Sequence, residues 1–102
     1  MKLLLFTSSK CSHCPDAERV VKKVAPDYHD KGLYFSKLRI KTNEGKEMSF
    51  KYNIMGTPTI LLLDDEGNEI KRIVGTPSEG NLRNLIEKSL GLKKSLFGKF
   101  FS

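Results

Sequence analysis

The order of apolar runs and helical spacings predicts an α/β domain: strand, helix, strand, helix, strand, strand, helix. A four-stranded mixed sheet flanked by helices is the architecture that order implies. Three observations carry the expectation. A short apolar run, Leu3-Leu4-Leu5-Phe6, leads into a segment of helical periodicity. A stronger run, Thr59-Ile60-Leu61-Leu62-Leu63, is followed by a turn and an alternating segment. Between the first run and its helix stand the only two cysteines, in Cys11-Ser12-His13-Cys14.

Leu3 to Phe6 is continuously apolar and bounded by polar residues, which suits a strand buried on both faces. Thr7 to Lys10 then forms a loop, and the cysteine pair opens a helix. Ala17, Val20, Val21, Val24, Ala25 and Tyr28 follow at steps of three and four, one face of that helix. Pro15 falls in its first turn, where a missing N–H is tolerated. Pro26 should end or kink it near Val24 or Ala25.

Leu33 to Ile40 alternates and carries Tyr34, Phe35, Leu38 and Ile40, a second strand. A right-handed crossover makes the first two strands parallel. Thr42 or Asn43 caps a short helix running through Glu47, Met48 and Tyr52, and Ile54 to Thr57 is a loop. Thr59 to Leu63 and Glu69 to Val74 pair as an antiparallel hairpin around Asp65-Glu66-Gly67-Asn68. The last helix buries Leu82, Leu85, Ile86 and Leu90. Thr76, with Pro77 next and Glu79 three residues on, resembles a capping box; Ser78 is the alternative cap.

At 102 residues the chain is one domain, and 38% apolar with 29% charged residues excludes a disordered or coiled-coil chain. The expected boundaries are 1–91 for the domain and 92–102 for a tail. In that tail Leu92, Leu96, Phe97, Phe100 and Phe101 share one helical face, with lysines elsewhere. The net charge of +6 is spread along the chain rather than clustered with aromatics, so nucleic acid is not an expected partner. A basic solvated surface that aids encounter with acidic partners is the expected meaning of that charge. Lys2 and four apolar residues make no signal segment, and no run reaches the ~18–20 residues needed to span a membrane. The expected location is cytoplasmic.

Two cysteines cannot staple a secreted scaffold, and a loop this small gains little from crosslinking. A working dithiol is the better reading of C-x-x-C beside a strand–helix–strand pattern. Cys11 would sit at the very start of the helix, where unpaired N–H groups and the helix dipole favour a thiolate. Cys14, one turn on, would be more buried. Cys11 then attacks a substrate disulfide and Cys14 resolves the mixed disulfide. A protonated His13 would stabilise the thiolate and make the pair more oxidising, and Lys10 could add to that field. No separate cofactor is expected: the redox group is the Cys11–Cys14 disulfide.

With these residues in view, the chain resembles the thioredoxin/glutaredoxin superfamily over about Met1 to Leu90, and looks like a short glutaredoxin-sized member. The cysteine pair, joined to Gly56-Thr57-Pro58-Thr59 before an apolar strand, carries the resemblance. Lys51 to Thr59 looks like the lead-in to that family's active-site proline, and Ser36 to Ile40 resembles its second strand. The resemblance implies the thioredoxin fold, a cis Thr57–Pro58 bond beside the disulfide, substrate pairing with the backbone of Thr57, and substrate contact also from Ser12, Pro58 and Gly75. Lys37 matches a lysine near the active site of thioredoxins. Disulfide-containing proteins are the implied substrates, with an upstream thioredoxin-reductase-like or glutathione-linked reductant.

The chain also departs from that pattern. Lys10 stands where thioredoxins usually have Trp, Ser12-His13 where they have Gly-Pro, and Leu5 where they bury an Asp. The turn after Val74 lacks the Gly-Gly of glutaredoxins.

Three other readings compete. The couple could act as a disulfide oxidant or isomerase rather than a reductant. Cys11, Cys14 and a histidine could bind zinc, although no second C-x-x-C or paired histidines accompany them, so no metal is expected. The domain could be a binding module acting through its tail, by self-association or contact with a partner or membrane surface.

Overall fold

The structure is a computed structural model that describes residues 1–91. The expected amphipathic tail, 92–102, lies outside the described residues. The chain forms β1 (Lys2–Thr7), α1 (Cys14–Val24), a 3-10 segment (Ala25–Lys31), β2 (Tyr34–Arg39), α2 (Asn43–Lys51), β3 (Thr59–Leu63), β4 (Glu69–Val74) and α3 (Glu79–Ser89). Among the described residues no helix is long and apolar enough to cross a membrane.

The sheet order is β2-β1-β3-β4. β1 pairs in parallel with β2, Lys2 opposite Tyr34 and Thr7 opposite Arg39. It pairs antiparallel with β3, and β3 antiparallel with β4. The two apolar runs of the sequence are therefore the two central strands. Alternate residues of each run face opposite layers. Leu3, Leu5, Ile60 and Leu62 meet Ala17, Val21, Val24, Leu82 and Ile86 of α1 and α3. Leu4, Phe6, Leu61 and Leu63 face the other way, with Met48 and Tyr52 of the α2 segment packed on them. Each fully buried side chain of this kind contributes about 1.5–3 kcal/mol relative to an exposed one. The edge strands β2 and β4 are exposed or half-buried apart from Leu38 and carry Lys37, Arg39, Lys71 and Arg72, charges that discourage edge-to-edge pairing.

Helix ends follow from local chemistry, with two corrections to the sequence expectations. α1 stops at Val24, and the chain continues as a 3-10 segment whose first turn holds Pro26. Thr42 caps α2: its hydroxyl accepts from Gly45 N at 3.0 Å and donates to Arg39 O at 2.8 Å. Gly45 is required there, because a Cβ would lie 1.8 Å from Arg39 O. The cap of α3 is Ser78, accepting from Asn81 N at 3.1 Å, and not Thr76. The hydroxyl of Thr76 reaches instead across the molecule to the cysteine loop. The second correction is at α1, which begins at Cys14 with His13 as cap residue. Cys11 therefore lies in the preceding loop, three residues short of the first helical position.

Candidate functional site

Cys11 and Cys14 are joined by a disulfide, with Cα atoms 5.4 Å apart. Cys14, as the first helical residue, has its side chain turned to the core and is 5% exposed. Cys11 is half-buried, and Ser12 and His13 between them are exposed. The two sulfurs thus differ in access: one faces outward at the loop and the other is held beneath it. The loop is tied down at both ends. Cys11 N donates to Ser8 O at 3.3 Å, and Ala17 N donates to His13 O at 3.1 Å.

Two further loops meet this one at the same end of the sheet. The first precedes β3. Its Thr57–Pro58 peptide is cis, Pro58 is buried, and Thr57 is half-buried. Ser8 Oγ and Thr57 Oγ1 lie 3.1 Å apart, which links this loop to the end of β1. Thr59 Oγ1 donates back to Gly56 O at 2.5 Å and fixes the turn. The second loop follows β4. Gly75 N donates to Pro58 O at 2.9 Å, with Gly75 at a φ of 100° that a side chain would strain. Next to it, Thr76 Oγ1 donates to His13 O at 3.3 Å. Ser8 and Thr76 are the residues that sequence reasoning missed here. Each is a lone hydroxyl in a polar loop, and only the folded chain shows which loop it meets.

Beside the disulfide opens a cleft of about 650 Å³, lined by Cys11, Cys14 and Pro15 together with the charged residues Glu18, Arg19, Lys22, Lys37 and Arg39. Lys37 Nζ is 3.2 Å from Glu18 Oε1, and Lys22 Nζ is 2.7 Å from Glu18 Oε2. Those two ammonium groups, Lys22 first, hold the Glu18 carboxyl below its ordinary value. Lys37 is thus brought to the cleft that holds the sulfurs, but its direct partner is a carboxylate. Lys10, Ser12 and His13 lie outside the cleft lining. Among the described residues, no three His, Cys, Asp or Glu side chains gather where a metal ion could sit.

A family model described as a thioredoxin-like domain matches residues 1–90. The chain is 40% identical over 87 residues to a probable thioredoxin of Archaeoglobus fulgidus, covering 85% of this chain and 87% of that protein. It is 36% identical over 90 residues to a thioredoxin of Methanocaldococcus jannaschii, covering 88% of this chain and 96% of that one. Thioredoxin 1 of Thermosipho africanus superposes with a TM-score of 0.74 at 24% identity, over 92% of this chain and 99% of that one, a likeness of fold. The domain that carries the two-cysteine loop is matched over nearly its whole length by the family model and by these relatives, and the chain belongs to the thioredoxin-like domain family.

Proposed function

We propose that this thiol–disulfide oxidoreductase works as a reductant of protein disulfides, with Cys11 as nucleophile and Cys14 as resolving thiol. The observation that carries the assignment of roles is the difference in access between the two sulfurs: Cys11 half-buried at the loop, Cys14 5% exposed beneath it. In the reduced protein the Cys11 thiolate attacks one sulfur of a substrate disulfide. A mixed disulfide forms and one substrate thiolate leaves. Cys14 then loses its proton, attacks Cys11 Sγ and expels the second substrate thiolate. Two electrons and two protons pass from the dithiol to the substrate, leaving the Cys11–Cys14 disulfide.

Several groups support the first step. The thiolate that attacks sits just ahead of the N-terminus of α1, where the helix dipole favours negative charge. Its cleft carries the cations Lys37, Lys22 and Arg39. The exposed imidazole of His13 and the ammonium of Lys10 stand on the neighbouring residues and add to the same field. Thr57 presents both backbone groups without a partner among the described residues, as strand-like pairing with a substrate requires. Ser12, between the two cysteines, and Gly75, hydrogen-bonded to Pro58 O, would border that substrate. A cytoplasmic setting suits the reading, since the couple must be returned to the dithiol by an upstream reductase or a glutathione-linked donor. Glutaredoxin-like use of glutathione is the finer alternative for that donor.

The test is reduction of insulin disulfides by the wild-type chain and its cysteine variants. Cys11→Ser should abolish turnover, and Cys14→Ser should accumulate mixed disulfides with substrate. Undiminished reduction by Cys11→Ser overturns the assignment. A reduction potential near ~−270 mV supports the reductant direction; one near ~−120 mV assigns the chain to oxidants instead.

A further inference from the structure

If Cys11 and Cys14 exchange with protein disulfides, the cleft beside them bears on which disulfides they accept. Its lining carries four cations, Arg19, Lys22, Lys37 and Arg39, against one carboxylate, Glu18. Asp16 pairs with Arg19 from outside the lining, and the count is then four positive to two negative. Glu18 is shared between Lys22 and Lys37, so neither ammonium has a carboxylate to itself. Arg39 is exposed, and its guanidinium has no ion-pair or hydrogen-bond partner among the described residues. Glu44, in the first turn of α2, lines a different cleft, with Met1, Lys2 and Tyr34.

The surplus charge therefore faces the disulfide itself, in a space of about 650 Å³. Binding clefts run about 300–1,000 Å³, so the space is sufficient for a short run of side chains. None of the lining residues is aromatic, so it offers no stacking platform for nucleic-acid bases.

The geometry points to acidic protein segments as the preferred substrates: a disulfide whose flanking Asp or Glu side chains lie along the cleft between α1 and the end of β2, with Arg39 receiving a carboxylate. This rests on the oxidoreductase reading and adds the chemical class of the substrate to it. Guanidinium is suited to that task, since its planar donors meet a carboxylate in a bidentate pair. The electron balance is the one given above, with the dithiol as the sole reductant of one substrate disulfide.

Two synthetic peptides test it. They have the same length and one internal disulfide, flanked in one by three Glu and in the other by three Lys. Prereduced protein is mixed with each in single turnover. At ~20 mM salt the Glu peptide should react at least ~10-fold faster, and at ~0.5 M salt the ratio should fall to within ~3-fold. Arg39→Glu should lower the low-salt ratio at least ~3-fold. Lys71→Glu makes the same charge change on β4, the opposite edge of the sheet, and should lower the ratio less.

Equal rates for the two peptides overturn the inference. So do equal effects of Arg39→Glu and Lys71→Glu, which would assign the preference to overall charge. Binding of the same peptides, fluorescently labelled, to the Cys11→Ser/Cys14→Ser chain separates this inference from the redox reading. Tighter binding of the Glu peptide without reduction by the wild type would remove the oxidoreductase reading and leave the basic cleft with its preference for acidic segments. Reduction of both peptides without selectivity would do the reverse.

Discussion

Ser8 Oγ and Thr57 Oγ1 meet at 3.1 Å and join the loop that carries the disulfide to the loop that carries Pro58. The two residues are 49 positions apart in sequence. Their contact fixes the distance between the sulfurs and the backbone of Thr57, which the proposed substrate would pair with. Removing either hydroxyl should loosen that placement while leaving the sheet untouched. Ser8→Ala and Thr57→Val should each lower kcat/KM for insulin reduction several-fold. In a double-mutant cycle the pair should couple by about 0.5–1.5 kcal/mol, the net worth of one hydrogen bond. Full additivity of the two changes would show that the hydroxyls act separately.

His13 offers a second test, through the potential rather than the rate. Its backbone is held by Ala17 N and by the hydroxyl of Thr76, so its position between the sulfurs is fixed, while its side chain is exposed. A charged imidazole stabilises an adjacent thiolate, and so the reduced form of the couple. His13→Ala should make the potential more negative by on the order of 10–20 mV, as a nearby charge worth about 0.5–1 kcal/mol implies. Equilibration with a glutathione buffer measures the shift. A potential that stays in place would assign the tuning to the cleft cations and the helix end.

The strands and the pairing of the two cysteines were legible in the sequence because their signals are local. Leu3 to Phe6 and Thr59 to Leu63 are unbroken apolar runs, and only a strand covered on both faces needs such a run. The capping of α2 was legible for the same reason, since Thr42 acts within three residues of its partners. What failed to show was whatever depends on loops meeting across the sheet. Thr76 has the spacing of a capping box, yet its hydroxyl turns to His13 O, 63 residues away, and leaves the cap to Ser78. Cys11 was expected in the helix because C-x-x-C spans one helical turn. The chain instead spends three residues in a loop and enters the helix at Cys14, so the outer sulfur stays half-buried at the surface. Glu18 has the spacing of a solvated helix face and gave no sign that β2 would bring Lys37 to it.

Gly45 tests how closely α2 must approach β2. A Cβ at this position would stand 1.8 Å from Arg39 O, at the end of β2, and 2.9 Å from Thr42 Oγ1, the cap of α2. The obstructing atom is backbone, so relief requires α2 to shift away from the strand. Gly45→Ala should destabilise by about 3 kcal/mol, at the upper end of overpacking costs. For a domain of this size that corresponds to a fall in Tm of roughly 10–20 °C. Thermal unfolding followed by circular dichroism reads it directly. An unchanged Tm would mean that the cap of α2 tolerates a wider turn than the one seen.

Acid should weaken the fold through four paired carboxylates. Glu18 is held below its ordinary value by Lys22 and then Lys37, and Glu79 by Lys23 and then Arg83. Glu69 is held down by Arg72, and Asp64 by hydrogen bonds to Asn68 and to the other backbone N–H groups of the hairpin turn. A carboxylate with a folded-state value below its unfolded one contributes stability that is present above the unfolded value and is lost as pH falls through the folded one. The urea midpoint should therefore hold steady from pH 7 down to about 5 and fall below about 4, where unfolded-chain carboxylates take up protons. Glu69→Gln isolates one of the four. Arg72 bonds this carboxylate while also donating to the carbonyls of Tyr52 and Asn53 ahead of the Pro58 loop. The variant should start from a lower midpoint at pH 7 and lose less on acidification, so that the two curves converge as the Glu69 carboxylate is protonated. Parallel curves would show that the Glu69–Arg72 pair contributes nothing to the acid limb.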